Sequence, residues 1–328
     1  MRRRRLPPPR NRGPVAAAVL LMVAAAVVVA LLVGANSGSG GSSNPLADIQ
    51  PPVGRHGPKR QAGRLAPGSP PGIVLAKHQL VHVPLRPKPA AALMFDLDTG
   101  RVLWQLHPTA VRPIASVTKI MTALLVAERL PRDATAAITK DALHYTGSEV
   151  GVLPLGKRVP VQALLYGLLL PSGNDAAVAL ADRVAGSDRK FAQLMNRRAA
   201  ELHLTCTHFS SSYGLQKGNR SCPADLAALA RIVMSKPQIA HVVRHVHVNI
   251  KFPIKHGRLD LYSTNPLLRM RYPGTIGLKT GYTNPAGRCL VAIVRRGGHT
   301  LGVVLLHSAN PAGEAMQLFK AGFHALAR

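Results

Sequence analysis

A serine and a lysine three residues apart, Ser116 and Lys119, open a strongly helical run, IASVTKIMTALLVAERL, from Ile114 to Leu130. Positions i and i+3 of a helix share a face, so this hydroxyl and this amine can meet. The neighbours Ile120, Met121, Leu124 and Leu125 put the pair at the buried end of the run rather than on a solvated side. Burial disfavours the charged form of a lysine, and a neutral amine beside a serine hydroxyl can take its proton and make the serine a nucleophile. Alone, the Ser-x-x-Lys spacing is weak, because any long chain contains several and an ordinary helix start fits the same residues. Its weight depends on what the rest of the chain brings to it.

The elements that must position the pair can be read in order. AALMFDLDTGRVLWQL has two β-like runs on either side of Asp98-Thr99-Gly100, the pattern of a hairpin. The opening helix follows, entered through Pro113. Residues 131–160 are loop-rich, broken by Gly147, Gly151, Pro154 and Gly156. VQALLYGLLL is an apolar helix that stops at Pro171-Ser172-Gly173-Asn174, and DAAVALADRV restarts as a helix with Asp175 near its positive end. Residues 188–202 and 223–235 are further amphipathic helices, with Pro223 suited to a first turn. Beyond residue 240 the chain turns to strands: VVRHVHVNIKF alternates, TIGLKTGYT is short, and RCLVAIVRR and HTLGVVLLHS flank Gly297-Gly298. The last two are apolar almost throughout, so their sheet is expected to be covered on both faces. A final helix is expected near 312–326. Strands at both ends with helices between predict one α+β domain over 90–328, its antiparallel sheet joining N- and C-terminal segments.

The chain has 328 residues, room for one large domain or two ordinary ones. Its formal charge of +28 implies anionic surroundings, with basic residues spread along the whole sequence. Nucleic acid is disfavoured: aromatics are 4% and there is no helix-turn-helix, zinc or aromatic-basic motif. Anionic cell-wall polymers fit the charge equally well. Arg2 to Arg5, Arg10 and Arg12 form a basic segment, 1–13, ahead of an uncharged apolar run from Val15 to Val33. Those nineteen residues reach about 28 Å as a helix, close to the roughly 30 Å of a bilayer core. Residues 14–35 are therefore expected to be a transmembrane signal anchor, with the basic flank in the cytoplasm and the rest outside. Val33-Gly34-Ala35 also offers a cleavage site, after which the protein would be secreted. Residues 36–89, rich in Gly, Ser, Pro and basic residues, are expected to be a flexible tether.

Three motifs then line up: Ser116-Val117-Thr118-Lys119, Ser172-Gly173-Asn174 and Lys279-Thr280-Gly281. In this order they resemble the motif set of the penicillin-binding and β-lactamase superfamily. PIASVTKIMTALL, LLYGLLLPSGNDAAVALA, MNRRAAELHLTCTHF, TNPLL and IGLKTGYTNPAGRCLVA resemble one branch, the D-alanyl-D-alanine carboxypeptidases (peptidase S11), over roughly 90–326. The resemblance implies a β-lactamase/transpeptidase-like fold with a helical subdomain. It also implies peptidoglycan stem peptides as substrate, β-lactam antibiotics as covalent inhibitors, and neither metal nor organic cofactor. By the same resemblance Ser116 is the nucleophile, Lys119 its base and Ser172 the relay to the leaving D-alanine. Asn174 holds the substrate amide, Lys279 and Thr280 face the terminal carboxylate, Gly281 lets the strand edge approach, and Tyr282 contributes an oxyanion N–H beside that of Ser116.

Two departures stand out. Relatives in this branch commonly carry an arginine shortly before the last helix that helps to bind the terminal carboxylate, and here no arginine lies between Thr300 and Gln317. Specificity for crosslinks, as in an endopeptidase, is therefore an open alternative, as is a non-catalytic wall-binding homologue. The sequence given also ends at Arg328, so the second β domain and terminal anchor of many relatives are not expected here. A class A β-lactamase is disfavoured, because Glu201 is the only glutamate between the second and third motifs and stands in a helical context. Cys206 and Cys222 either form a disulfide or stay free, and Cys289, in an apolar strand, is expected to be a buried thiol. His241, His245, His247 and His256 lack acids or cysteines at ligand spacing, which argues against a metal site.

Overall fold

Five strands form one antiparallel sheet: β1 (Ala91–Asp96), β2 (Val102–Leu106), β3 (Thr275–Thr283), β4 (Gly287–Arg296) and β5 (His299–Ser308). Their order is β2-β1-β5-β4-β3, so the N-terminal hairpin adds to the C-terminal strands as expected. Ala91 pairs with Leu306 and Asp96 with Leu301, and β3 is left at one edge. This computed structural model describes residues 72–327 apart from Thr146 and His256. The basic segment, the apolar run with its expected anchor, and the tether as far as residue 71 lie outside the described residues. Among the described residues no helix is long and apolar enough to cross a membrane.

Side chains alternate across the sheet with the period of two that a strand imposes. Ala91, Leu93, Phe95, Val291, Ile293, Val304 and Leu306 join one buried cluster with the central helices. Ala92, Met94, Leu290, Ala292, Val294, Val303 and Leu305 join a second with the last helix. Both faces are thus covered, which explains why β4 and β5 are apolar almost throughout. The main helices are α1 (Lys119–Arg129), α2 (Val161–Leu169), α3 (Asn174–Ala185), α4 (Asp188–Glu201), α5 (Pro223–Met234) and α6 (Pro311–Leu326). Helix α1 is enclosed: Lys119 to Val126 are all buried.

Two expectations are corrected. The folded unit takes in residues 72–89, assigned to the tether by composition. Ile73, Val81 and Leu85 are buried there, and Val74 bridges Arg101 beside the β1–β2 hairpin. Three scattered apolar side chains hold this segment, too few to show as a period. The alternating stretch from Val242 also divides: Pro237–Val243 is a short helix, started by its proline, and only His247–Lys251 is a strand, paired with Arg258–Tyr262. Val242 and Val243 are adjacent and both buried, a helical rather than a strand pattern.

Cys206 and Cys222 form a disulfide, with Cα atoms 5.6 Å apart, and Cys289 is a buried free thiol. The bridge joins the chain leaving α4 to the residue that caps α5, and the Asp225 carboxylate accepts hydrogen bonds from Cys206 N (2.8 Å) and Thr207 Oγ1 (2.7 Å) beside it. Closing a loop of this size stabilises by about 3 kcal/mol. A Cys206→Ser/Cys222→Ser variant is therefore expected to lose about 3 kcal/mol in urea unfolding. An unchanged midpoint would mean that the loop's other bonds alone hold it.

Candidate active site

Ser116 lies in a single 3-10 turn, Ala115–Thr118, that leads straight into α1, of which Lys119 is the first residue. Ala115, just before the serine, adopts φ +47°, a left-handed conformation that costs an L-residue on the order of 1 kcal/mol and persists only where packing fixes it. Gly214 supplies that packing: a Cβ there would lie 2.1 Å from Ala115 O, so only glycine lets the two backbones approach. Ser116 is 7% exposed and Lys119 is fully buried.

The Lys119 amine has three oxygens around it: Ser116 Oγ at 3.0 Å, Asn174 Oδ1 at 2.7 Å and Tyr213 O at 2.9 Å. Burial pushes its pKa well below the usual lysine value, and the charge of Lys279 lowers it further, with Asp175 opposing. A neutral amine has two N–H donors and one lone pair. The oxygens of Asn174 and Tyr213 can only accept, so they take both hydrogens. The lone pair is then left to the Ser116 hydroxyl, which can donate to it. Geometry and desolvation together give this amine the lone pair and the lowered pKa that a base toward Ser116 needs.

The second motif sits at the junction of α2 and α3. Ser172 has φ +72°, and its Oγ is buried with no hydrogen-bond partner among the described residues. An orphaned buried hydroxyl is costly unless a bound molecule completes it. Asp175 accepts from Val150 N (2.9 Å), Gly151 N (3.0 Å) and Ala176 N (2.8 Å), while Asn174 N donates to Ser148 O at 2.7 Å. These bonds tie the loop containing Ser148 to the start of α3, where it forms part of the cavity wall.

The third motif lies on edge strand β3. Lys279 is 1% exposed, and burial lowers its pKa to about 7. Its Nζ donates to Thr280 O at 2.9 Å, and Thr280 Oγ1 is 2.7 Å from Thr264 Oγ1. At Gly281 the structure sharpens the expected role. A Cβ there would lie 2.8 Å from Ile114 O and 3.0 Å from Ser116 N, so glycine lets β3 lie against the turn carrying the serine. Tyr282 is 61% exposed and its hydroxyl donates to Asn284 Oδ1 at 3.0 Å. Ser116, Ser172, Asn174, Thr280, Gly281 and Tyr282 all line one cavity of about 610 Å³. The three motifs therefore meet, Lys119 reaching Ser116 and Asn174 from within the protein and Lys279 standing on the strand that lines the cavity.

Two contributors escape sequence reasoning. The Tyr213 carbonyl that orients Lys119 belongs to the loop closed by the disulfide, which Thr122 Oγ1 also holds through Ser212 O at 2.6 Å. A backbone carbonyl leaves no signature in residue identity; only Gly214 marks the place. Asp175, expected to favour a helix dipole, also clamps the neighbouring loop. Of the histidines weighed for a metal, His241 and His245 stack edge to face at 4.9 Å, His247 pairs with Asp260 at 2.6 Å, and His256 lies outside the described residues. A cluster of possible ligands among the described residues, Cys206, Cys222 and Asp225, has both sulfurs committed to the disulfide.

Comparison with known proteins agrees with this geometry. The peptidase S11 family, described as D-alanyl-D-alanine carboxypeptidase, matches residues 79–310. The carboxypeptidase DacB2 of Mycobacterium tuberculosis is 34% identical over 74% of this chain and 84% of its own length. DacF of Bacillus subtilis is 32% identical over 70% of this chain and 60% of its own length, and a D-alanyl-D-alanine endopeptidase of Escherichia coli is 31% identical over 61% of this chain and 65% of its own. The crystal structure of the Streptomyces K15 DD-transpeptidase superposes with a TM-score of 0.67 at 35% identity, covering 72% of this chain and 97% of that one. The chain belongs to the D-alanyl-D-alanine carboxypeptidase family of serine peptidases, S11, and has the penicillin-binding protein fold.

Proposed function

We propose that the chain removes the terminal D-alanine of peptidoglycan stem peptides through an acyl-enzyme on Ser116. The carrying observation is the Lys119 amine, desolvated and 3.0 Å from Ser116 Oγ with its two hydrogens committed elsewhere. Ser116 Oγ forms a bond to the carbonyl carbon of the penultimate D-alanine while its proton passes to Lys119. The C–N bond to the last residue then breaks, and Ser172 relays a proton to the leaving amine. Water hydrolyses the ester and restores both groups. The N–H groups of Ser116 and Tyr282 stabilise the oxyanion, a reading supported by the close approach of Gly281 to Ser116 N.

An extended substrate adds along β3, whose free edge supports strand addition, and Asn174 holds its amide. Lys279 and Thr280 face the terminal carboxylate. Export belongs to the same reading: residues 14–35 would anchor the domain outside the membrane or be cleaved, supported by the arginine-flanked apolar run. Cleavage of crosslinks is the second reading, favoured by endopeptidases among the relatives.

A fluorescent penicillin is expected to label the wild type covalently and to leave Ser116→Ala unlabelled. Equal labelling of both would remove Ser116 from the mechanism. The acylation rate is expected to rise with pH while Lys119 loses its proton and to fall above about pH 7 as Lys279 becomes neutral. In Lys279→Arg the falling limb should vanish, because a guanidinium stays charged. Identical profiles would show that the charge at 279 is not required. Digestion of sacculi should release D-alanine from pentapeptides faster than it opens dimers; the reverse order would select the endopeptidase.

A further inference from the structure

The segment that follows β5 carries no arginine, yet a guanidinium stands beside it. Arg288, on β4, pairs in register with Tyr282 of β3 on one side and with Ser308 of β5 on the other. It therefore sits between the motif strand and the strand that leads into Ala309, Asn310, Pro311 and Ala312 on the cavity wall. Its Nη1 donates to Ala309 O at 3.2 Å, which holds the side chain against that segment. Arg288 lines the same cavity as Ser116, Thr280 and Tyr282. One of its five N–H donors is used by Ala309, and among the described residues no carboxylate pairs with it. A nearby acid in the chain, Glu314 in the first turn of α6, is buried and turned to the backbone, its Oε1 accepting from Asn310 N at 3.1 Å.

We propose that Arg288 is a specificity-determining residue whose guanidinium binds the free α-carboxylate of the substrate's C-terminal residue. It rests on the serine peptidase reading above and names what recognises the leaving residue. The fork of a guanidinium matches a carboxylate through two parallel hydrogen bonds, which the single ammonium of Lys279 cannot supply. The guanidinium is thus presented from the middle strand of a three-strand ladder, beside the motif strand. Because the contact lies on the leaving group and not on the reacting carbonyl, it acts on binding more than on bond making.

The test compares two N-acylated peptides, one ending in D-Ala-D-Ala with a free carboxylate and one with the terminal carboxamide, in wild type, Arg288→Gln and Arg288→Lys. Wild type should favour the acid. Arg288→Gln should lose about tenfold to hundredfold in kcat/KM for the acid, chiefly through KM, and nothing for the amide. Arg288→Lys should recover part of the preference. Thermal midpoints equal to wild type would exclude misfolding as the cause. An acid preference that survives in Arg288→Gln, or an equal loss for both peptides in a folded variant, would overturn the assignment. If wild type turns over neither peptide and takes no penicillin label, the peptidase reading itself fails and this assignment with it.

Discussion

The site depends on one unfavourable act of burial, a lysine amine removed from water and set against a serine hydroxyl. An isolated ammonium in such a place is expensive, and the protein avoids the expense by letting the amine go neutral. Everything around Lys119 serves this state. Helix α1 is enclosed, so solvent cannot restore the charge. Two oxygens that can only accept take up the amine's hydrogens, so its remaining lone pair has one place to point. A second buried lysine adds repulsion, and in the proposed reaction the pair divides its labour, with Lys119 as the base and Lys279, its pKa lowered to about 7, as the charged group below that pH.

Holding that arrangement takes segments far apart in the chain. The serine comes with a 3-10 turn, the asparagine with the start of α3, the carbonyl with a disulfide-closed loop, and the second lysine with an edge strand of the sheet. Close approach is what joins them, and it leaves its trace as two glycines with no room for a side chain, Gly214 against Ala115 and Gly281 against Ser116. Left-handed backbone at Ala115 and Ser172 is the accompanying strain, placed next to the two hydroxyls that the proposed reaction uses. The sheet supplies the rigid frame, since both of its faces are packed and β3, which carries the third motif, is one of its edges.

Much of this was legible in residue order. β-like and apolar runs bounded by turn residues placed the five strands, and apolar helical patterns placed the six main helices. The three motifs pointed to one cavity because each pairs a reactive side chain with a turn or strand end. What escaped was carried by backbone or by isolated contacts. Tyr213 acts through its carbonyl, so its side chain says nothing. Residues 72–89 dock through Ile73, Val81 and Leu85, spaced by prolines and charges that read as tether. Valines in helix 237–243 imitated a strand until Pro237 and the burial of both Val242 and Val243 are considered. Arg288 only opens the apolar run RCLVAIVRR in the sequence, and the register with Tyr282 and Ser308 reveals where it stands.

The protonation state of Lys119 in the free protein is the most direct measure of the account. Side-chain carbon resonances of lysine report ionisation, and the signal lost in Lys119→Arg identifies the residue. Followed over pH, the Lys119 signal should change with a midpoint well below 10.5. A lysine that stays charged up to its ordinary value, like those on the surface, would contradict the claim that burial has made it the base for Ser116.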